Sequence, residues 1–150
     1  MKKILFVCLA LFMAAAAFSQ SAKATGLTDS DVTSFCKNFK KIKSDFDKLG
    51  LDLEDKEGIA YAVDGKEAVL GVLNKNGISG SNAIEKLKAL AYGYAVECYD
   101  DALANDPETA AMVKSMGIDP IAETRKLVAD ADKKVVGKHL SELKKVFDDD

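Results

Sequence analysis

The sequence predicts an all-α fold: a compact bundle of four or five helices joined by tight corners that contain glycine. Apolar residues recur at three- and four-residue steps over long stretches, which is the period of one face of a helix. Residues that cap helix N-termini precede several of these stretches. A glycine followed by an apolar residue recurs where helices should end, as in the Schellman-type stop. These pairs are Gly50-Leu51, Gly77-Ile78 and Gly117-Ile118.

The first 24 residues have the layout of a secretory signal peptide. Lys2 and Lys3 are followed by an uninterrupted apolar run from Ile4 to Phe18, which is too short to span a bilayer comfortably. Small residues then follow, as at a cleavage site. We therefore expect residues 1–24 to be a signal peptide and residues 25–150 to form a single helical domain, with an uncleaved anchor as the alternative.

Cleavage is expected after Ser19 or after Ala24. Loss of Lys2 and Lys3 would take the net charge of the chain from −3 to −5. Nucleic acid requires a concentrated basic surface, and anionic lipid also attracts basic segments, so both are disfavoured as partners. No second apolar run is long enough to cross a membrane, so no transmembrane span is expected in the mature chain.

The clearest helix covers residues 28–49. Thr28 is expected to cap it, and Asp31 stands three residues later, as in a capping box. Its apolar residues form a heptad seam that can pack along a partner helix. The seam consists of Val32, Phe35, Phe39, Ile42, Phe46 and Leu49.

Residues 81–104 form the predicted central helix. Asn82 and Glu85 have the spacing of a second capping box. Two apolar stripes cover most of its circumference and leave a narrow polar strip. A helix with this pattern is surrounded by other helices.

Two more helices are expected after the central one. The first begins at Asp106-Pro107 and ends at Met116, and the second runs from Asp119-Pro120 to about Phe147. An Asp followed by Pro is a strong start signal, because Asp caps and Pro suits the first helical position.

Residues 52–76, before the central helix, are harder to interpret. Three glycines weaken any single helix there. We favour two short helices broken near Asp64-Gly65. A two-residue hairpin is the alternative for residues 55–74.

Cys36 and Cys98 remain once the signal peptide is removed, and both lie on apolar faces of predicted helices. The first and central helices are expected to pack together in an oxidising compartment, so the sequence predicts a disulfide between them. Two buried thiols are the alternative. A redox-active pair is disfavoured, because Cys-x-x-Cys spacing is absent.

His139 is the only histidine in the chain. No accompanying set of nucleophile, base and orienting residue can be identified, and one histidine with distant cysteines falls short of a zinc site. We expect no catalytic residue, no metal site and no cofactor. His139 on an apolar stripe is expected at the edge of the core, or at a binding site.

Tyr92, Tyr94 and Tyr99 lie on the most buried predicted helix. Each hydroxyl needs a partner, so the three tyrosines could line a ligand pocket between helices. An aromatic core whose hydroxyls reach the surface is the alternative.

The function that these observations favour is that of a small, non-catalytic, exported protein, periplasmic or secreted. It would bind a partner protein or a small apolar ligand through Tyr92, Tyr94, Tyr99 or His139. A structural or envelope-associated protein without a ligand is the alternative. A hydrolase-like enzyme that uses His139 is a weaker one, since no activated nucleophile accompanies the histidine.

Overall fold

A computed structural model describes residues 22–51 and 67–148, and within those ranges every regular element is a helix. The all-α prediction is confirmed for this part of the chain. The predicted number of four or five helices is wrong, because seven helices lie in the described ranges. They are α1 (Asp29–Asp47), α2 (Glu67–Lys75), α3 (Ala83–Asn105), α4 (Pro107–Met116), α5 (Ala122–Lys126), α6 (Asp130–Lys138) and α7 (Leu140–Asp148).

The long last helix that the sequence predicts is divided into α5, α6 and α7. The backbone becomes extended at Ala129 (φ −71°, ψ 148°) and leaves the helical conformation again at His139 (φ −106°, ψ 10°). The break at Ala129 lets one stretch of sequence contribute to two clusters. Ile121 is buried in a small cluster, whereas Val136 and Leu143 are buried in the main core.

The N-terminus of α1 has the predicted capping box. The Thr28 N–H donates to Asp31 Oδ2 at 2.9 Å, and the Asp31 N–H donates to Thr28 Oγ1 at 3.2 Å. Leu49 falls outside the helix and is 41% exposed. The remaining seam residues are all buried: Val32, Phe35, Phe39, Ile42 and Phe46.

The corner after α1 is a Schellman stop, as predicted. Gly50 adopts φ 71°, and the Leu51 N–H donates to the carbonyl of Phe46 at 3.0 Å. Leu51 is buried and seals the joint. The corner after α2, at Gly77-Ile78, repeats this arrangement with φ 91° at the glycine and a buried isoleucine.

The central helix α3 packs against α2, α4, α5, α6 and α7, most extensively against α6. Its predicted position is therefore confirmed. Gly93 marks a close approach to α6: a Cβ built on it would lie 2.9 Å from Val136 Cγ2. The predicted capping box of α3 is wrong, because the Asn82 side chain makes no cap hydrogen bond and its Nδ2 donates to the Thr25 carbonyl at 2.6 Å.

Buried apolar residues form two clusters. The main core is built by α1, α2, α3, α6 and α7 together with the corners after α1 and α2. The second is a small cluster of Val96, Ile121 and Val128, with Tyr92 and Tyr99 packed against it. It lies where α3 meets α5 and the break that follows α5.

Some predictions concern residues outside the described ranges. Residues 1–21 of the predicted signal peptide and residues 55–66 of the helix-or-hairpin segment are among them. Residues 67–74 of that segment belong to α2 and are helical. In the described ranges no helix combines the length and the apolar character that crossing a membrane requires.

Candidate functional site

The predicted disulfide between Cys36 and Cys98 is not formed in the structure. The prediction relied on face-to-face packing of α1 and α3. In the structure α1 packs mainly against α2, α6 and α7. A disulfide requires Cα atoms within about 4.4–6.8 Å, and two helices that do not pack along each other rarely meet that requirement.

The environment of Cys36 does not favour a reactive thiolate. Burial raises the pKa of its thiol to about 11, and the carboxylate of Glu142 acts in the same direction. Since the thiolate is the nucleophilic form, Cys36 is a poor nucleophile at neutral pH.

His139 joins the start of α1 to the junction of α6 and α7. Its Nε2 lies 3.0 Å from Asp29 Oδ1, and its Nδ1 lies 3.2 Å from Glu142 Oε2. Neither contact is to a hydroxyl or a thiol. His139 therefore links α1 to the junction of α6 and α7 through two carboxylates.

The pKa of the Asp29 carboxyl is lowered by hydrogen bonds from His139 and from Lys138. Lys138 Nζ lies 3.4 Å from Asp29 Oδ2. Two basic groups from the end of α6 thus meet the acidic first turn of α1, where the helix dipole also favours a negative charge.

The three tyrosines do not share one site. Tyr92 and Tyr99 pack against the second cluster, whereas Tyr94 packs against the main core. The Tyr94 ring centroid lies 4.7 Å from that of Phe147. The structure therefore does not bring all three tyrosines to one interhelical pocket, because Tyr92 and Tyr94 pack against different clusters.

Tyr99 is beside a charged group that sequence reasoning missed. Arg125 Nη1 donates to Asp100 Oδ2 at 2.8 Å, and its Nε donates to Asp119 Oδ2 at 2.7 Å. The guanidinium carbon lies 6.0 Å from the centroid of the Tyr99 ring. Arg125 is the single arginine of the chain, which is the one signal that could have drawn attention to it.

The Tyr99 hydroxyl oxygen is buried and has no hydrogen-bond partner among the described residues. Burial raises the pKa of this hydroxyl. The hydroxyl thus stays neutral at physiological pH and forms no ionised site beside Arg125.

Helix α4 presents the most exposed apolar side chains of the described chain. Met112 is 56% exposed, Met116 is 50% exposed, and Ile118, just beyond the helix, is 58% exposed. Residues four apart lie on the same face of a helix. We call these three side chains the α4 apolar face.

The α4 apolar face exists because the third glycine corner differs from the other two. Gly117 adopts φ 65°, as predicted, but Ile118 points to solvent and seals no joint. No residue of α4 is buried. The start of the helix is as predicted: the Thr109 N–H donates to Asp106 Oδ1 at 3.0 Å, and Pro107 occupies the first turn.

Acidic residues lie at both ends of α4. Asp106 and Glu108 at the start of α4 and Asp119 after its end are all exposed. Lys114 is the one lysine within the helix. Within residues 22–51 and 67–148, no group of three or more His, Cys, Asp or Glu side chains is arranged to hold a metal ion.

Comparisons of this chain with protein-family models, with curated proteins and with solved structures found no match.

Proposed function

We propose that this protein is exported, has no catalytic activity, and binds a partner protein through the α4 apolar face. The observation that carries the proposal is that α4 exposes Met112, Met116 and Ile118 while burying none of its own residues. Exposed apolar groups with a polar rim are typical of interaction sites. Methionine adapts its shape to the surface that it meets.

The expected partner has an apolar patch bordered by basic residues. The rim of the α4 apolar face carries Asp106, Glu108 and Asp119, and the chain as a whole has a net charge of −3. Complementary charge around an apolar contact steers association and selects partners. This composition favours a protein partner that carries basic residues around an apolar patch, and it disfavours an anionic membrane.

The contacts of His139 and the raised pKa of the Cys36 thiol support the absence of catalysis. His139 is held between Asp29 and Glu142, so both ring nitrogens are engaged. The Cys36 thiol has a pKa of about 11. A hydrolase would require an activated nucleophile beside its base, and neither side chain is in that arrangement.

Binding of a small apolar ligand has less support than binding of a partner protein. Tyr92 and Tyr99 pack against their own cluster of Val96, Ile121 and Val128, and Tyr94 packs against Phe147. Ligand sites are concave, whereas these tyrosines contact side chains of the protein itself.

Site-specific photo-crosslinking in the native host tests the proposal. A photoreactive amino acid at position 116 is expected to form a defined adduct with one partner protein, and the same group at exposed Lys40 of α1 is not. Met112→Asp should lower the yield of the adduct at least about tenfold, since a charge would then be buried in the contact. Ala111→Asp, which adds the same charge at an exposed position off the face, should leave the yield unchanged.

Three outcomes would contradict the proposal. Equal crosslinking at positions 116 and 40 would indicate nonspecific contact. An adduct between two copies of this chain would replace the partner by self-association. No adduct at position 116, together with native mass spectrometry that finds the chain alone, would favour a structural protein without a partner.

A further inference from the structure

The segment before α1 is held firmly although it has no regular secondary structure. The Ala22 N–H donates to the carbonyl of Lys126 at 3.0 Å. The Thr25 carbonyl accepts from Asn82 Nδ2 at 2.6 Å. This segment, residues 22–28, is thus bonded both to the end of α5 and to the residue that precedes α3.

Asp132 of α6 also binds this segment. Its side chain is 1% exposed. Oδ2 accepts from the Thr25 N–H at 2.8 Å, and Oδ1 accepts from the Leu27 N–H at 3.3 Å. Within the described ranges no cationic side chain pairs with it. A buried carboxylate without a counter-charge is costly, even in the first turn of a helix where the dipole helps.

The atom that approaches Asp132 most closely is the nitrogen at one of the two expected cleavage positions. We propose that export ends with hydrolysis of the Ala24–Thr25 bond, and that the new α-ammonium of Thr25 forms a buried ion pair with Asp132. This inference rests on the export proposed above. A peptidase of the export machinery breaks the C–N bond and consumes one water. Ala24 leaves as a carboxylate, and the Thr25 nitrogen becomes an ammonium.

Cleavage after Ala24 suits this site better than cleavage after Ser19. After Ser19, the Thr25 nitrogen remains a neutral amide, and Asp132 keeps only neutral donors. The Thr25 hydroxyl oxygen, also buried, has no hydrogen-bond partner in the described structure. Cleavage after Ala24 gives up the Ala22–Lys126 hydrogen bond between neutral groups and gains a charge-assisted one, which is the stronger kind.

Two forms of the mature chain test the ion pair. One begins with an unmodified Thr25, and the other carries an acetyl group on the same nitrogen, which removes the charge but keeps an N–H donor. The unmodified form is expected to melt at least about 3 °C higher. Asp132→Asn should abolish this difference. Asp130→Asn, an exposed neighbour in the same helical turn, should preserve it.

A second measurement covers the case in which Asp132→Asn does not fold. The Thr25 amine of the native protein should react about tenfold more slowly with an amine-specific reagent than in the unfolded chain, since pairing raises its pKa by roughly one unit. Equal melting temperatures of the two forms, or equal reaction rates in folded and unfolded chains, would overturn the ion pair.

Sequencing the N-terminus of protein isolated from its own host separates this inference from the proposal of export. Thr25 as the first residue supports both. Gln20 as the first residue overturns cleavage after Ala24 and leaves export intact. Retention of Met1 overturns export itself.

Discussion

Asp31 combines two roles at the start of α1. It completes the capping box with Thr28, and both of its oxygens accept from Lys86 Nζ of α3, at 3.1 and 3.2 Å. The Asp31 and Lys86 side chains are only 6% and 12% exposed. Burial alone would raise the pKa of Asp31, but hydrogen bonds from Thr28 and Lys86 outweigh it, and the pKa is lowered.

Asp31→Asn is expected to destabilise the fold by about 3 kcal/mol, because it leaves the Lys86 ammonium buried without its counter-charge. The Asp31 carboxyl has a lowered pKa in the folded state, so its contribution is present above the unfolded value of about 3.9 and is lost as pH falls through the folded value. Urea unfolding between pH 2 and pH 7 measures both effects. The variant should show a flatter pH dependence below about pH 4.

Asp47→Asn is the control for Asp31→Asn, because Asp47 ends the same helix in an exposed position. It should change the free energy of unfolding by less than about 0.5 kcal/mol. Equal effects of the two substitutions would show that the Asp31–Lys86 pair has no special role.

Tyr99 has a buried hydroxyl without a partner, which is a cost to the fold. Tyr99→Phe removes the hydroxyl and keeps the ring against the second cluster. We expect an unchanged or higher stability, by up to about 1 kcal/mol, measured by thermal and chemical unfolding. Tyr99→Ala, which removes the ring as well, should lower stability by about 3 kcal/mol. A loss of more than about 1 kcal/mol in Tyr99→Phe would show that the hydroxyl has a partner in solution.

The contact between α3 and α6 depends on the absence of a side chain at residue 93. Gly93→Ala would place a methyl group 2.9 Å from Val136 Cγ2, and overpacking of this kind costs about 1–3 kcal/mol. Denaturant unfolding should show the loss, and Val136→Ala in the same chain should recover part of it.

Gly71→Ala provides the comparison. Gly71 also lies within a helix, but nothing is within 4 Å of its would-be Cβ. It should stabilise the protein by up to about 1 kcal/mol, because alanine is the better helix former. A loss for Gly71→Ala as large as that for Gly93→Ala would contradict the role of close packing.

Helix starts and stops were predictable where they depend on nearby residues. The Thr28–Asp31 capping box, the Asp106-Pro107 start and the stop at Gly50 are all local patterns, and the structure has each of them. The break at Ala129 carries no local signal. It separates Ile121 and Val128 of the second cluster from Val136 and Leu143 of the main core, and this division is a property of the tertiary structure.

At the scale of the whole molecule, whether the predicted site residues lie together depends on which helices pack against each other. The sequence correctly placed α3 at the centre, because its apolar circumference is an intrinsic property. It did not reveal that α1 packs mainly against α2, α6 and α7, so the face-to-face packing of α1 and α3 assumed for the Cys36–Cys98 pairing is not found. The Asp132 contact with Thr25 was missed for the same reason, because the two residues are 107 positions apart.

Helix α4 is expected to open independently of the rest of the protein. It packs on α3 and buries no residue of its own, so its release exposes little apolar surface and leaves both clusters intact. Segments of this kind exchange their amide hydrogens by local opening at low free energy. Hydrogen exchange followed by mass spectrometry should find α4 exchanging at least about tenfold faster than the middle of α3.

A partner bound to the α4 apolar face would slow that exchange without altering the exchange of α3. The affinity of the complex would then include the cost of keeping α4 folded and docked. Substitutions at Ala110 or Val113, which are half-exposed residues of α4, would weaken binding without touching the partner. The strength of the interaction would thus be adjustable from a surface that the partner never contacts.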